Sequence, residues 1–576
     1  MSKIVIVGGV AGGATAAARL RRLDEHAEIV MFERGEHISF ANCGLPYHIG
    51  GAIANREDLL LQTPENFRRR FNVDVRAQSE VLSIDRDAKT VTVKNHAGET
   101  YTEPYDKLIL SPGGAPIKPP IEGIDSPRVF TLRNVADTDN IMAFIEENGP
   151  RSAAVVGGGF IGIEMAENLK EAGLNVSIVE LSDQVIAPLD IDMACDVHRR
   201  LWEHGVALYL NNGLQKIVEH RDGLTVELQD GAIGADMLIL AIGIRPDSRL
   251  AKDAGLDVNP RGGIVVDTQM RTTDPDIYAV GDAVEVTDFV TRQPAMIPLA
   301  GPANKQARVA ADNICGVDSE YMGTQGSAVV KVFDMTVAFT GTNEKTVRRL
   351  NLDYDKIFLW LPGHAGYYPG SKSMSMKVLF EKPSGKILGA QIVGYDGVDK
   401  RCDVLAAAIR AGMTAHDLTR LELCYAPPYS SAKDPVNMAG YAIENVLTGK
   451  VKNFHWHEVD DLPRDGSVTL LDVREPCEAM RGRVEGFANI PLDSLRERMG
   501  ELDPSKPVYL HCHSGMRSYI AARILMQNGF DAYNLSGGYR LYSAVRSSVD
   551  VKRLKPAPPG KSGGTEKQRT METATA

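Results

Sequence analysis

The chain has 576 residues, several times the size of one domain, which predicts three to five domains. Its composition, 43% hydrophobic and 24% charged with 54 glycines, is ordinary for a globular protein. The formal net charge of −11 gives no support for a nucleic-acid partner, and no apolar run reaches the length of a membrane-spanning helix. We therefore expect small-molecule substrates, without nucleic acid or a membrane among the partners.

The N-terminus and the cysteines indicate a compartment. The run from Met1 to Val7 enters a strand at once, so we expect no signal peptide. The seven cysteines are scattered and odd in number, which is not the pattern of a secreted disulfide framework. We expect a cytoplasmic protein in which an isolated cysteine is either structural or catalytic.

The first motif is a glycine-rich turn between a strand and a helix. The β-branched run Ile4–Val7 precedes it, an alanine-rich helical stretch follows, and the next strand ends at Glu33. Such glycines let the backbone approach a pyrophosphate at the helix N-terminus, while the acidic residue accepts from a ribose hydroxyl. Val10 stands where a middle glycine is usual, so a tight turn of another α/β protein remains an alternative for this motif alone. The predicted nucleotide-binding residues are Gly8, Gly9, Gly12, Gly13 and Glu33.

The same pattern recurs after Ala153–Val156, with all three glycine positions filled, and the next strand ends at Glu180. An acidic residue there, with no arginine directly after it, favours NADH over NADPH because it would repel a 2′-phosphate. Two dinucleotide sites in one chain suggest that hydride passes from one dinucleotide to the other. The predicted residues of this second site are Gly157, Gly159, Gly162 and Glu180.

A third segment, from Thr272 to Asp282, indicates which site holds the flavin. It reads TTDPDIYAVGD and resembles the second FAD signature of the two-dinucleotide-binding flavoproteins. The segments 105–114 and 240–246 resemble the crossovers between the two domains of that family. The resemblance covers roughly the first 320 residues and implies FAD at the first site, with Asp282 on its ribityl chain, and NADH at the second. No metal site is predicted.

Cys43 is the predicted redox centre. Its context, SFANCGLPY, resembles the single-cysteine branch of the superfamily, which includes coenzyme A-disulfide reductase, NADH peroxidase and NADH oxidase. In two-cysteine reductases the partner thiol would stand at Ile38 or His48, so Cys43 has no local partner. It must hold its oxidised state as a sulfenic acid, or as a mixed disulfide or persulfide. The remaining cysteines, apart from Cys512, fit small buried hydrophobes: Cys195, Cys315, Cys402, Cys424 and Cys477.

Ala11 separates the members of this branch. The peroxidase and the oxidase carry a histidine at the matching position, and without it the reduction of peroxide or oxygen loses its acid–base group. The resemblance therefore favours a coenzyme A-type thiol substrate. Two further segments, 363–370 and 423–429, also resemble coenzyme A-disulfide reductases, in which two tyrosines reach the cysteine of the other subunit. This implies Tyr367 and Tyr425 as proton donors to the leaving thiol, and an obligate homodimer, although a packing role for these tyrosines remains open.

Coenzyme A needs a phosphate clamp and contacts at its thiol end. The basic candidates for the clamp are Arg19, Arg21 and Arg22 on the first helix, and Arg68, Arg69 and Arg70 further on, with a solvated basic face as the alternative. Within the family, the positions that match coenzyme A contacts are Arg22, Ser39, Asn42 and Gln62.

The C-terminal part resembles a single rhodanese domain. Three pieces carry the resemblance together with Asn534–Tyr539: a strand entering the turn 472–475, the segment 486–491, and a strand ending at Cys512. The six-residue loop Cys512–Arg517 follows that strand and precedes a helix expected near Ser518. Backbone N–H groups of such a turn stabilise a thiolate or persulfide, and Arg517 adds positive charge that would steer an anionic donor. An inactive rhodanese fold that serves only in protein interaction usually lacks this cysteine.

The predicted fold class is α/β, with two Rossmann-like FAD/NAD(P)-binding domains, an α+β dimerisation domain with an antiparallel sheet, and a C-terminal α/β rhodanese domain. The predicted boundaries are 1–112 with 271–320 for the FAD-binding domain, 113–270 for the NADH-binding domain with its crossovers, 321–446 for the dimerisation domain, 447–455 for a linker and 456–550 for the rhodanese domain. The tail 551–576 is rich in Pro, Gly, Ser, Thr and charge, so we expect it to be disordered or loosely docked.

Together the two halves suggest an NADH-dependent persulfide or polysulfide reductase that releases hydrosulfide, with Cys43 as redox cysteine and Cys512 as sulfur carrier. Coenzyme A would serve as substrate, or as a swinging arm between the two cysteines. Two alternatives remain open: a coenzyme A-disulfide reductase for thiol homeostasis, and a sulfur-relay or redox-sensing protein whose rhodanese domain docks another protein. An NADH oxidase or peroxidase is disfavoured by Ala11.

Overall fold

The computed structural model describes residues 2–550 of the chain. The predicted disordered tail, 551–576, lies outside the described residues. No helix within residues 2–550 is both long enough and apolar enough to cross a membrane.

The first dinucleotide fold is a five-stranded parallel sheet. From edge to edge its strands are Ile277–Ala279, Lys107–Leu110, Lys3–Val7, Glu28–Phe32 and Asp74–Arg76. The β-branched run Ile4–Val7 is buried between its neighbours, with Val7 paired to both Phe32 and Leu110. Its helices and accessory strands are Ala11–Leu23, Leu45–Ile49, Pro64–Phe71 and Ala300–Ile314, with the antiparallel Glu80–Asp85, Thr90–Lys94 and Thr100–Pro104 and the small sheet Ile264–Val265, Val284–Thr287 and Pro294–Ala295.

The second dinucleotide fold repeats this plan. Its parallel sheet runs Ala207–Tyr209, Asn175–Val179, Ser152–Val156, Met237–Leu240 and Val129–Phe130. A two-stranded antiparallel ladder joins the two folds where the sequence predicted crossovers, pairing Gly114–Pro116 with Ile244–Pro246. Its helices are Val135–Asn148, Phe160–Glu171 and Ile191–Glu203, and its antiparallel strands are Leu214–His220, Gly223–Leu228 and Ala232–Ala235. Helix Arg249–Asp253, which follows, packs on the first fold against strand Glu80–Asp85.

The third unit is an antiparallel sheet covered by helices. Its strand order is Ala328–Val332, Met335–Gly341, Ile387–Gly394, Ser373–Glu381 and Tyr354–Pro362, so the last strand is an edge. Ile387–Gly394 is buried along its whole length because helices pack on the sheet. Those of this unit are Glu344–Arg349, Val398–Arg410, Ala415–Arg420 and Pro435–Leu447.

The last unit is a parallel sheet in the order Lys452–Phe454, Ala532–Leu535, Val508–His511, Thr469–Asp472 and Ala488–Asn489. The strand that precedes Cys512 is central, so its carboxyl end opens at the middle of the sheet edge. The helices of this unit are Pro476–Arg481, Leu495–Arg498, Met516–Gln527 and Gly538–Asp550. Two α/β dinucleotide folds, an α+β unit and a C-terminal α/β unit are the predicted fold class, which is confirmed.

The last unit docks on the rest of the chain through its C-terminal helix. Helix Gly538–Asp550 packs on helix Ile191–Glu203, and Leu541 and Val545 join the hydrophobic core of the second dinucleotide fold. The Arg540 guanidinium forms an ion pair with Asp196 at 2.9 Å. The rhodanese-like unit is therefore fixed to the reductase by shared core as well as by charge.

Candidate functional site

The first glycine turn is shaped by close backbone approaches. Gly8 has a φ of +98°, and a Cβ added there would lie 2.0 Å from the carbonyl oxygen of Ser111. A Cβ at Gly13 would lie 1.8 Å from the carbonyl oxygen of Gly8. Only glycine fits at either position, and the turn delivers the N-terminus of helix Ala11–Leu23 to the cleft.

The second turn explains the departure from the pattern at Val10. Gly157 and Gly162 repeat the geometry of Gly8 and Gly13, with a φ of +109° at Gly157 and 1.9 Å from a Cβ of Gly162 to the Gly157 carbonyl. At Gly159, by contrast, an added Cβ would point into open space, with no atom of a non-neighbouring residue within 4 Å in residues 2–550. Val10 occupies the matching place in the first turn, where a side chain is therefore sterically tolerated.

The two acidic strand ends are held in the same way. Glu33 accepts from the Gly9 N–H at 2.9 Å and from the Gly35 N–H at 2.8 Å. Glu180 accepts from the Gly158 N–H at 2.7 Å and from the Ser182 N–H at 2.8 Å. Each carboxylate is thus oriented by its glycine turn and keeps lone pairs for a ribose hydroxyl.

One cavity of about 1660 Å³ joins these elements. Both glycine turns, both acidic residues, Cys43 and Asp282 line it. A cavity of this size exceeds the roughly 300–1,000 Å³ of a single ligand pocket, which fits two dinucleotides meeting near the cysteine. The glycine turns and acidic strand ends therefore fit FAD and a nicotinamide dinucleotide.

Asp282 lies on the short helical turn Gly281–Ala283, directly after the edge strand of the first sheet. Burial raises the pKa of its carboxyl, and the Arg133 guanidinium, 3.9 Å away, acts in the opposite direction. Gln306 accepts from the Gly281 N–H at 2.8 Å and fixes this turn. The Asp282 carboxyl is therefore fixed in position on the wall of the cavity that Cys43 also lines.

Cys43 sits on the turn Asn42–Gly44 at the start of helix Leu45–Ile49. Its side chain is accessible from the cavity, yet the protein packed around the sulfur raises the pKa of the thiol, and the carboxylates of Glu164 and Asp282 add to the effect. The surrounding side chains thus favour the protonated or covalently bonded sulfur over the free thiolate.

Glu164 is a cavity residue that the sequence did not single out. Burial and, to a smaller extent, the neighbouring Glu167 carboxylate raise its pKa to about 7, although a hydrogen bond from Tyr47 acts in the opposite direction. The pKa of Tyr47 is raised by burial and then by Glu164. A carboxyl that titrates near neutrality beside the redox cysteine is able to hold or release a proton there.

Tyr367 and Tyr425 meet although they are far apart in sequence. Their hydroxyl oxygens are 2.8 Å apart, and this hydrogen bond raises the pKa of Tyr367. Tyr367 is 75% exposed and Tyr425 is 47% exposed. Within residues 2–550 of one chain, neither tyrosine lines the cavity that contains Cys43. The pair therefore projects from the surface, away from the cavity of its own subunit.

A buried arginine ties the two tyrosine loops together. The Arg401 guanidinium donates to the carbonyl of Gly363, to the Asp434 carboxylate and to the Ser430 hydroxyl, each at 3.0 Å. The Ala365 N–H donates to the Ser430 carbonyl at 3.0 Å. Arg401 is 1% exposed, so these bonds are shielded from water and fix one loop on the other.

The predicted coenzyme A residues fall in two places. Ser39 and Asn42 line the cavity beside Cys43, and Ser39 has a left-handed φ of +45°. Arg22 is exposed at the far end of its helix and Gln62 is half-buried; within the described part of the chain, the lining of this cavity includes neither. The structure thus brings Ser39 and Asn42, but not the other two, to the thiol.

Several of the basic candidates are already engaged. Arg21 is buried and donates to backbone carbonyls, including those of Phe71 and Ala27, so its candidacy for a phosphate clamp is wrong. Arg19 pairs with Asp312 at 2.7 Å, and Arg68 pairs with Asp74 at 3.2 Å. The Arg21 guanidinium instead joins the C-terminal end of its helix to the backbone carbonyls of residues 71–72.

The Cys512 loop has the geometry of a sulfur site. The Gly515 N–H donates to the Cys512 sulfur at 3.1 Å, and the Ser518 hydroxyl donates to it at 3.4 Å. Gly515 has a φ of +99°, and the helix begins at Met516, slightly earlier than predicted. Cys512 is 1% exposed. The loop therefore offers N–H and O–H donors to a thiolate or persulfide at a helix N-terminus.

The charge of Arg517 is compensated by a residue that the sequence analysis missed. Both of its terminal nitrogens donate to Glu478, at 2.6 and 2.7 Å. This pairing lowers the pKa of Glu478 to about 2. Arg517 therefore lies beside Cys512 as one half of an ion pair, and its role in steering an anionic donor stays a prediction.

Two of the cysteines predicted to be buried are exposed. Cys195 and Cys402 are buried, which raises the pKa of each thiol, and Cys315 is half-buried. Cys424 and Cys477 are exposed, so the prediction of burial is wrong for both. Cys424 lies in an irregular segment before Tyr425, and Cys477 lies on the first turn of helix Pro476–Arg481, so neither position faces a core.

Family models match the chain in three places. The model described as pyridine nucleotide-disulphide oxidoreductase matches residues 2–310, more than half of the chain. The chain belongs to this family. The model for the dimerisation domain of the same family matches residues 327–435, and that for the rhodanese-like domain matches residues 455–544. Family membership confirms the predicted enzyme class, an FAD-dependent oxidoreductase that uses a pyridine nucleotide.

Relatives resemble the chain over different lengths. A coenzyme A disulfide reductase of Staphylococcus epidermidis is 38% identical over 444 residues, covering 77% of this chain and 99% of the relative. The crystal structure of reduced Bacillus anthracis CoADR-RHD is 54% identical with a TM-score of 0.93, covering 95% of this chain and 98% of that one. An NAD-dependent persulfide reductase from A. fulgidus is 38% identical with a TM-score of 0.88, covering 94% and 100%. The predicted resemblance to a reductase–rhodanese fusion is confirmed.

Proposed function

We propose that this reductase is an NADH-dependent persulfide or polysulfide reductase that releases hydrosulfide and works in the cytoplasm as a homodimer. The observation that carries the proposal is the presence in one chain of two sulfur sites of different kinds. Cys43 opens on a dinucleotide cavity, whereas Cys512 is cradled by N–H and O–H donors. The similarity to the NAD-dependent persulfide reductase from A. fulgidus supports the same activity.

The residues that would hold the two dinucleotides are those of the two glycine turns. The turn from Gly8 to Gly13, with Glu33 and Asp282, would hold FAD, and the turn from Gly157 to Gly162, with Glu180, would hold NADH. When bound, FAD supplies the two-electron transfer from NADH to sulfur. Because both turns line the cavity that also contains Cys43, cofactors held there would be close to this cysteine.

Cys43 is the residue that exchanges sulfur bonds in this proposal. Its thiolate attacks the inner sulfur of a persulfide R–S–SH, forms Cys43–S–S–R and expels HS⁻. Two electrons from NADH then cleave the mixed disulfide and return the Cys43 thiolate and RSH. The balance is NADH + RSSH → NAD⁺ + RSH + HS⁻. Ser39 and Asn42 would orient the thiol end of coenzyme A, while Arg22 and Gln62 would contact it further out.

Tyr367 and Tyr425 would protonate the leaving thiolate in the partner subunit. The supporting observation is that the hydrogen-bonded pair is exposed and stands apart from the cavity of its own chain. A phenol that shares a proton with a second phenol is able to donate to a departing sulfur. The match to a dimerisation domain at residues 327–435 supports assembly into a homodimer, in which the pair would complete the partner's site.

Cys512 would carry sulfane sulfur from a donor to the reductase. Its thiolate attacks the outer sulfur of a donor, either a persulfide R′SSH or thiosulfate, forms Cys512–S–S⁻ and expels R′SH or sulfite. An acceptor thiol RSH then attacks that outer sulfur, which gives RSSH and returns the Cys512 thiolate. The donors at Gly515 and Ser518 stabilise the negative sulfur, and Arg517, paired with Glu478, lies beside it. Coenzyme A is the acceptor that we propose, because its persulfide is then the substrate of Cys43.

The test separates the two cysteines. Cys512→Ser should leave NADH-dependent reduction of a small persulfide intact but slow the turnover of polymeric sulfur, whereas Cys43→Ser should abolish both. Measurements are made anaerobically, with sulfide and NADH followed together. Equal losses on both substrates in Cys512→Ser would contradict separate roles.

A second candidate is a coenzyme A-disulfide reductase for thiol homeostasis, with the rhodanese-like domain as an accessory. The observation that favours it is the similarity of 77% of this chain to 99% of a coenzyme A disulfide reductase. The same residues would act, since Cys43 forms the same mixed disulfide from either substrate.

A further inference from the structure

The sheet edge that bears Cys512 faces the reductase of the same chain. Strands Lys452–Phe454, Val508–His511 and Ala532–Leu535 are parallel, so their carboxyl ends share one edge, where ligands of such sheets bind. Three groups at this edge contact the reductase. The Phe358 N–H donates to the Ser536 hydroxyl at 3.1 Å, the Trp456 indole donates to Asp192 at 3.2 Å, and Arg540 pairs with Asp196.

Trp360 lies closest in this contact to the reactive loop. It belongs to the edge strand Tyr354–Pro362, and its ring centroid is 5.5 Å from that of His513, the residue after Cys512, in an edge-on arrangement at 77°. The Arg540 guanidinium lies 5.5 Å from the same indole, and the Arg540 N–H donates to the His513 carbonyl at 2.9 Å. The indole thus contacts the side chains of His513 and Arg540, and the backbones of these two residues are hydrogen-bonded to each other.

These aromatic and charged residues cluster around His513, next to Cys512. Burial lowers the pKa of His513, Glu478 raises it, and the guanidinium groups of Arg540 and Arg517 lower it, so all of these charges lie around the imidazole. We call Trp360, His513, Arg540, Arg517 and Glu478 the Cys512 rim. Inside the rim, Cys512 is 1% exposed and packs into a core that includes Leu471, Leu510 and Ala521. A ligand must pass the rim to reach the sulfur.

We infer that Trp360, contributed by the dimerisation domain, is a specificity-determining residue of the Cys512 site that admits slender sulfur donors and excludes bulky ones. Inorganic polysulfide, thiosulfate and the unbranched pantetheine end of a coenzyme A persulfide have the required cross-section. The indole is 37% exposed, so it presents a surface to the incoming chain while its other face is fixed by Arg540 and His513. A persulfide on a folded donor protein cannot approach a sulfur that faces the reductase.

The direct test measures access to Cys512 as a function of reagent size. The full-length holoenzyme and its Trp360→Ala, Trp360→Phe and Trp202→Ala variants are labelled with iodoacetamide and with a bulky aryl maleimide, and the Cys512 peptide is quantified by mass spectrometry. Trp360→Ala should raise maleimide labelling of Cys512 by roughly tenfold relative to iodoacetamide labelling, whereas Trp360→Phe should keep most of the size selectivity. The matched control, Trp202→Ala, removes an indole from helix Ile191–Glu203 and should leave the labelling ratio unchanged. An unchanged ratio in Trp360→Ala overturns the inference.

A second arm uses donors. Thiocyanate formation from cyanide is compared for thiosulfate and for glutathione persulfide, whose peptide is branched near the sulfur. Trp360→Ala should raise kcat/KM for glutathione persulfide relative to thiosulfate by roughly tenfold, and a ratio equal to wild type contradicts the inference. The inference rests on the proposed carrier role of Cys512, and the two fail differently. Thiocyanate formation that persists in Cys512→Ser removes the carrier role, whereas the labelling ratio reports on Trp360 alone.

Discussion

The sharpest stability prediction concerns Lys377, a fully buried cation at the junction of three units. Its ammonium lies 2.9 Å from Asp190, 3.0 Å from Asp192 and 2.7 Å from Glu344. Burial disfavours its charged form, but these carboxylates hold its pKa above the usual range. Burial likewise acts to raise the pKa of Glu344 and Asp190, but the Lys377 ammonium holds both below their usual values. The cluster stays charged because each side compensates the other.

Lys377→Met removes the cation that joins the three carboxylates: Glu344 keeps Lys356 and Arg348, whereas Asp190 and Asp192 lose their ion pair with Lys377. Removing one partner from a buried ion cluster costs about 3–5 kcal/mol, because the remaining charges lose their compensation. At about 2–4 °C per kcal/mol for a unit of 150–250 residues, and less for a larger one, the midpoint of thermal unfolding should fall by roughly 5–10 °C. The loss should also loosen the rhodanese-like unit, because the Trp456 indole donates to Asp192.

The assay is calorimetry of the holoenzyme at pH 7, with Lys382→Met as the matched control. Lys382 is exposed and lies 3.8 Å from Asp353, a surface pair that contributes at most about 1 kcal/mol. Asp192→Asn introduced into Lys377→Met should recover part of the loss, because it removes one of the uncompensated charges. A midpoint for Lys377→Met within 1–2 °C of that for Lys382→Met, on the order of the surface-pair effect, would refute the reasoning.

Three further predictions concern the sites. Tyr367→Phe and Tyr425→Phe should each lower kcat for coenzyme A disulfide by about 10²-fold. The loss should be smaller for the persulfide, because hydrosulfide leaves more readily than an alkyl thiolate. Equal losses on both substrates, in parallel NADH assays, would contradict proton donation. Burial lowers the pKa of His198 to about 4, and the unfolded chain takes up its proton near pH 6.5, so stability should fall by about 3 kcal/mol between pH 6.5 and 4. His198→Gln should remove that part of the pH dependence in thermal melts, and identical pH profiles would count against it. Glu478→Gln leaves the charge of Arg517 uncompensated, so kcat/KM for thiosulfate should rise roughly fivefold at low salt and return to the wild-type value at high salt. A change in kcat/KM that does not depend on salt would exclude an electrostatic cause.

The parts of the site that could be predicted from sequence are those that local backbone geometry dictates. Gly8 and Gly157 are required by a left-handed φ and a close carbonyl, and Glu33 and Glu180 each directly follow the strand that comes next after their glycine turn. The Cys512 loop was recognisable for the same reason, because a strand, a tight loop and a helix are consecutive.

The parts that could not be predicted depend on contacts between distant segments. Glu164 lies on a helix of the second dinucleotide fold and acts on Cys43 of the first, so no local pattern connects them. Arg401 joins two loops, and Trp360 reaches His513 across a domain boundary. Cys477 was expected to be buried because cysteines usually are, but its position on a surface turn decides its exposure.

The central claim is that the enzyme reduces persulfide sulfur at Cys43. The most direct measurement is anaerobic NADH oxidation by the purified protein with coenzyme A persulfide and coenzyme A disulfide at matched concentrations, with released sulfide quantified. The account predicts faster turnover of the persulfide and one sulfide released for each NADH consumed. A preference for the disulfide, or NADH oxidation without matching sulfide, would contradict it and make disulfide reduction the main activity.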